Sequence, residues 1–374
     1  MWILLSLFVL VIGLLTGWFL KSPGVPDPIV DENGMPVKDS LSEKVFVNIN
    51  GVRQGMFIQS RDISQPVLLF VHGGMPEFFL NEQYPAGLEQ LFTVVWWEQR
   101  GSGLSFNPDT PVDTLTADQL IADTLSLTRH LQQRFGKEKI YLMGHSGGTF
   151  IALQAAAEAP ELYHAYLAVE QITYQRQSEV LAYEHMLQQY RANENHRMVS
   201  QLEKFPVTMR RGTMPGYLEL RDTAMHQLGI GTTHEIKSVF KGIFLPSLAT
   251  RVYTIPEKIN LWRAKSKAGV SVVWEEMQIT DLAAQVTKLE IPVYFFHGVY
   301  DYTVSCPLAK SYFETLEAPV KGFYTFSFSA HSPMFEEPKR MRQILSSDVL
   351  TGQIRLADSP TRGPVNDENP RVEE

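Results

Sequence analysis

Apolar residues along this chain fall into two kinds of pattern. The first is the short unbroken run. Residues 67–71 read VLLFV, as a strand buried on both faces of a sheet should. Comparable runs at 92–97, 140–143, 165–169, 292–296 and 323–328 read as further strands. Residues 45–48 and 56–59 flank Asn50-Gly51, a strong hairpin signal. The second pattern is helical spacing. Between 116 and 135, Leu120, Ile121, Leu125, Leu131 and Phe135 recur along one helix face. Thr116 and Gln119 resemble a capping box at its start, and Gly136 supplies a stop. Strands alternating with helices predict an α/β fold with a mostly parallel sheet covered on both faces.

Between 171 and 285 the pattern changes to long polar-amphipathic segments with scattered Tyr, Met and Trp. This stretch reads as a helical cap inserted between two strands, leaving 42–170 and 286–350 as the core. Both ends of the cap leave the carboxyl ends of expected strands, where open parallel sheets place their sites. Residues 22–41, rich in Pro, Gly and Asp, read as a linker. Residues 351–374 read as a mostly disordered tail.

Residues 2–20 carry no charged side chain. That length approaches the roughly 20 residues a helix needs to cross a bilayer. No basic residue precedes the run and no small-residue cleavage site follows it, so residues 1–21 read as a single-pass membrane anchor. The competing reading is a cleaved signal peptide, which would release a secreted or periplasmic protein.

Composition narrows the function. The 374 residues are 44% hydrophobic and 20% charged, as in an ordinary globular enzyme. A net charge of −8 argues against nucleic acid as a partner. The single cysteine, Cys306, excludes an internal disulfide. No zinc-like Cys/His cluster, phosphate-binding loop or dinucleotide fingerprint is present, so neither a metal nor an organic cofactor is expected.

Candidate chemistry centres on Gly144-His145-Ser146-Gly147-Gly148, which follows an expected strand and precedes an Ala-rich helix. A serine on such a turn has a strained backbone, and Gly144 and Gly148 remove the side chains that would collide there. A serine hydroxyl needs a base, and the base needs an orienting carboxylate. His331 and Asp301 both follow expected strands, in the order serine, acid, histidine. Gly147 and Gly74, the latter in His72-Gly73-Gly74 after another strand, can supply N–H donors to an oxyanion; Met75 is the alternative to Gly74.

FVHGG, VVWWEQRGSGLS, GHSGG, the HG-x-x-D loop and AHSP together resemble the α/β-hydrolases. More narrowly they resemble the prolyl iminopeptidase-like branch, peptidase clan S33. The resemblance implies an eight-stranded core, a helical cap and a triad of Ser146, Asp301 and His331. Three positions depart from the branch: Glu98 stands where Asp is usual, HGGMP replaces HGGPG, and Gly147 replaces a common Trp. Members of the branch bind the substrate's amine with acidic residues in and near the cap, for which Glu170 is a candidate.

The expectation is a serine hydrolase of small-molecule or short peptide substrates, cleaving an ester or an amide through an acyl-enzyme. An N-terminal aminoacyl or prolyl bond is one form that amide can take. The alternatives are a small-ester hydrolase without peptidase activity and a catalytically idle, membrane-tethered scaffold. Oligomeric state is left open.

Overall fold

The structure, a computed structural model, describes residues 22–267 and 272–358. Within them, eight strands form one sheet. They are β1 (Leu41–Ile49), β2 (Val52–Ser60), β3 (Val67–Val71), β4 (Thr93–Glu98), β5 (Ile140–His145), β6 (Tyr163–Val169), β7 (Val293–Gly298) and β8 (Lys321–Phe326). Their spatial order is β1-β2-β4-β3-β5-β6-β7-β8. β2 runs antiparallel to β1 and β4, and the remaining neighbours are parallel. This is the mostly parallel eight-stranded sheet that the resemblance implied.

Asn50 (φ 47°) and Gly51 (φ 79°) join β1 to β2. Positive φ at both central residues is what a tight hairpin turn of matching twist requires. Both strands run longer than the apolar pattern suggested. β1 is half-buried along most of its length, so the strand ends carry no apolar signal.

Every residue of β3, β4, β5 and β7 is buried. Side chains alternate between the faces of the sheet. Val67, Leu69 and Val71 enter one core with helix α1 (Ala117–Phe135) and helix α2 (Gly147–Glu158). Leu68 and Phe70 enter the other, beneath Phe78, Tyr253 and Phe335. Thr116 caps α1 by accepting from Gln119 N, and Gly136 (φ 61°) closes it.

Between β6 and β7 lie α3 (Gln175–Ala192), α4 (His196–Leu202), α5 (Pro215–Leu228), α6 (Leu245–Ala249), α7 (Ile255–Lys267), α8 (Trp274–Ile279) and α9 (Leu282–Gln285). This insertion has a small core of its own, which includes Tyr183, Met186, Leu202, Tyr217 and Met225.

Two end regions differ from expectation. Residues 22–40 do not stand away from the body as a linker would. Ser22 is buried and accepts from Lys258 Nζ at 2.7 Å, and Gly24 N donates to Arg251 O at 3.1 Å. In the tail, Thr325 N donates to Asp358 Oδ2 at 3.0 Å and Leu356 N to Asp348 Oδ2 at 2.8 Å, so the stretch up to 358 is tied to the core at these two points although residues 351–356 are exposed. The rest of the expected tail lies outside the described residues.

The membrane localisation needs correction. Among the described residues no helix is long and apolar enough to cross a membrane. The expected anchor at 1–21 lies outside those residues, so nothing described supports membrane placement.

Candidate active site

β5 delivers Ser146 to the carboxyl edge of the sheet, and α2 starts at the next residue. Ser146 sits at φ 53°, ψ −127°, a conformation that costs energy for any residue but glycine. Its N–H donates to Val169 O at 3.0 Å, and its carbonyl accepts from Thr149 N at 2.8 Å. The glycines around it have no room for a side chain. A Cβ on Gly148 would lie 2.0 Å from Val71 O, and one on Gly144 would lie 2.8 Å from Thr149 Cα. Gly73 is equally constrained: a Cβ there would meet Ser146 Cβ at 2.8 Å. The backbone of the loop after β3 therefore passes directly against the serine. Gly74 has open space at the same point, and it lines the cavity together with Gly147.

The loop after β4 braces the loop after β3. Gln99 Nε2 donates to His72 O at 2.7 Å, and Gln99 N donates to His72 Nε2 at 3.1 Å. Burial pushes the His72 imidazole down to about 4, so it remains neutral and can accept. Arg100 is held by Asp123 of α1 through Nε at 2.7 Å and Nη2 at 2.9 Å. These contacts explain Gln99 and Arg100 of the EQR run: the first holds the loop after β3 and the second holds α1.

Asp301 follows β7 and His331 follows β8. His331 Nδ1 lies 2.7 Å from Asp301 Oδ2, and Asp301 Oδ1 accepts from Thr303 N at 2.6 Å. Burial alone would raise the Asp301 carboxyl, but His331, Glu170 and His297 outweigh it and hold it below its ordinary value. Glu336 fastens the His331 loop by accepting from Ala330 N at 2.9 Å and Ser332 N at 3.3 Å.

Glu170 does not reach the cavity wall, contrary to its reading as a substrate contact. It is fully buried, with φ 55°, and its Oε1 accepts from Gly298 N at 2.7 Å. Its Oε2 lies 2.7 Å from His297 Nδ1. Burial and the neighbouring Asp301 push its carboxyl well above the ordinary range, which favours its protonated form. Glu170, Asp301 and His331 present ligand-type atoms within 4.8 Å of one another. His331 Nδ1 and Asp301 Oδ2 already serve each other there.

Ser146 and His331 line one cavity of about 380 Å³. Its other walls come from the loop after β3, which supplies Met75, Glu77, Phe79 and Leu80, and largely from the insertion. Leu218, Met225, Val239, Ile243, Trp274 and Met277 are apolar, while Arg221, Asp222 and Lys265 are charged. Arg221 is held by Glu179, with Nη2 to Oε1 at 2.6 Å and Nε to Oε2 at 2.8 Å. Sequence reasoning did not find Glu77, Glu179 or Arg221 as parts of this site. The partners of Glu77 and Arg221 lie far away in the chain, and no local spacing marks either pair.

The family model for the alpha/beta hydrolase fold matches residues 66–338. The chain belongs to the α/β-hydrolase fold family. This α/β-hydrolase is similar to the probable aminopeptidase YbaC of Bacillus subtilis (strain 168). The two are 29% identical over 320 residues, covering 83% of this chain and 98% of the relative. Among solved structures, it is similar in fold to a proline iminopeptidase of Mycobacterium smegmatis. That match has a TM-score of 0.58 and 14% identity, covering 83% of this chain and 98% of the other. A proline iminopeptidase-related protein of Thermus thermophilus matches with a TM-score of 0.52 and 17% identity, covering 82% of this chain and 98% of the other. The chain is thus a hydrolase of the α/β superfamily with peptidase-like relatives.

Proposed function

We propose that this hydrolase cleaves an ester or amide of a small molecule or short peptide through an acyl-enzyme on Ser146. The observation that carries the reading is that Ser146, at a strained strand-to-helix turn, shares a cavity with His331, whose Nδ1 is bonded to Asp301. Ser146 Oγ attacks the carbonyl carbon while His331 Nε2 takes its proton. His331 returns that proton to the leaving alcohol or amine. A water molecule, deprotonated in turn by His331, releases the acid and restores the serine. Gly147 N–H, at the start of α2, and Gly74 N–H on the facing loop receive the oxyanion. The positive end of α2 favours the same charge.

A narrower reading is removal of an N-terminal residue. Two carboxylates on the cavity wall, Glu77 and Asp222, favour it, as does the similarity to a probable aminopeptidase. Both carboxylates already have basic partners: Glu77 has His145 at 2.8 Å and Asp222 has Lys265 at 3.5 Å. A substrate ammonium would have to share or replace these partners. The test is turnover of short acyl esters beside aminoacyl and prolyl arylamides. Turnover of either class, lost in Ser146→Ala, supports the hydrolase reading. The ratio between the classes decides the narrower one, and silence of the folded protein across both counts against the whole reading.

A further inference from the structure

His145 precedes Ser146, and its ring is fully buried beneath the elbow. Its Nδ1 lies 2.8 Å from Glu77 Oε2 and its Nε2 lies 2.6 Å from the backbone carbonyl oxygen of His331. A carbonyl oxygen can only accept, and an ionised carboxylate can only accept. Neutral imidazole has one N–H, so it can serve one of these partners but not both. With Glu77 ionised, two short contacts to two acceptors call for a proton on each ring nitrogen, with Glu77 as the counter-charge.

We propose that His145 and Glu77 form a buried imidazolium–carboxylate pair that positions His331 by holding its backbone carbonyl. This rests on the reading of His331 as the base. His145 touches no reacting atom in that scheme, so its role is positioning. The two histidine rings stand 5.0 Å apart.

The groups facing His145 are Glu77 from the loop after β3, His72 from the end of β3, Asp301 from the loop after β7, and His331 itself. Burial opposes the charge on His145. Glu77, the His331 carbonyl and Asp301 outweigh it and hold the imidazolium above its ordinary value of 6.5. His72 is neutral and adds no competing charge. Because Glu77 also lines the cavity, the pair links the cavity wall to the residue expected to act as base.

The pair has a pH signature. Raising the pH through the folded value of His145 removes one proton, and one of the two bonds must break. The full chain, carrying ¹⁵N-labelled histidine, is titrated by NMR as wild type and as Glu77→Gln, alongside kcat/KM against pH on an ester. His145 in the wild type is expected to show two protonated nitrogens at pH 7. In Glu77→Gln its deprotonation moves down by about 1 to 3 pH units, the usual effect of losing an adjacent opposite charge. The alkaline fall in kcat/KM moves with it. His145→Gln, which keeps a donor for the His331 carbonyl, loses that alkaline fall, and it supplies the kinetic arm if Glu77→Gln does not fold. A wild-type His145 that is neutral at pH 7 overturns the proposal. So does an alkaline fall that stays in place in both variants while rates drop uniformly, as a merely structural role would give. The NMR arm needs no turnover, so an inactive protein counts against the hydrolase reading alone.

Discussion

Asp301 meets His331 through one carboxylate oxygen, Oδ2 at 2.7 Å, and spends the other on the backbone N–H of Thr303 at 2.6 Å. Neither oxygen can be exchanged for a donor without a conflict. In Asp301→Asn the amide oxygen is drawn to Thr303 N–H, which turns the amide NH₂ toward His331 Nδ1. His331 must then place its own proton on Nε2, where it cannot accept from Ser146. The expected result is a fall in kcat of about 10⁴-fold, as for the equivalent change in a serine protease triad. Steady-state kinetics with an unchanged circular dichroism spectrum would check it. A loss of less than about tenfold would remove Asp301 from this role.

The glycines of the elbow and of the facing loop are constrained to different degrees. Gly148→Ala puts a Cβ 2.0 Å from Val71 O and 2.5 Å from His72 O, both backbone atoms that cannot step aside. The expected cost is about 3 kcal/mol or more, at the upper end of overpacking. Gly74→Ala meets nothing within 4 Å and should leave stability within about 0.5 kcal/mol. Urea unfolding of both variants tests the contrast, and equal midpoints would contradict it.

Glu98, at the position where the prolyl iminopeptidase-like pattern that the sequence resembles has aspartate, is buried. Its two oxygens meet Tyr253 OH and Leu104 N. Burial, against these two hydrogen bonds, pushes its carboxyl up to about 8. Between about 4.5 and about 8 the folded chain keeps this proton and the unfolded chain does not. The folded state then binds more protons, so this group makes stability fall as pH rises through that window. The slope is at most about 1.4 kcal/mol per pH unit. Glu98→Gln should flatten it, as read from unfolding midpoints at several pH values. An identical slope in the variant would show that Glu98 ionises normally.

Much of the candidate site was legible because its residues stand in local signals at strand ends. Ser146, Gly144 and Gly148 sit in one pentapeptide, while Asp301 and His331 each follow a run of apolar residues whose strand the structure contains. The insertion was legible only as a region. Its helices carry tyrosines and buried polar residues such as Glu179 and Arg221, whose pairing spans 42 positions and leaves no periodic trace. Glu170 was misread for a related reason. A carboxylate at a strand end reads as exposed unless its partners are known, and these, Gly298 and His297, lie more than a hundred residues away. The same holds for His145, whose partners Glu77 and His331 come from other elements.

Glu170 gives a further prediction. Glutamine matches it in shape and, with its oxygen in the place of Oε1, keeps the acceptor for Gly298 N, while its NH₂ faces His297 Nδ1. Glu170→Gln should therefore cost less than Glu170→Ala, since it keeps the Gly298 bond and leaves no void. Glu170→Ala leaves Gly298 N–H without its acceptor and opens a void, at an expected cost of about 2 to 4 kcal/mol. Thermal unfolding of the pair decides. If glutamine costs as much as alanine, the Gly298 N–H bond and the filled space do not account for the role of Glu170.

The measurement closest to the central claim is covalent labelling by a fluorophosphonate probe, followed by intact mass and peptide mapping. One adduct per chain on the peptide carrying Ser146, absent in a folded Ser146→Ala protein, is the predicted result. An adduct at another residue, or a folded wild-type protein that takes none, would contradict it.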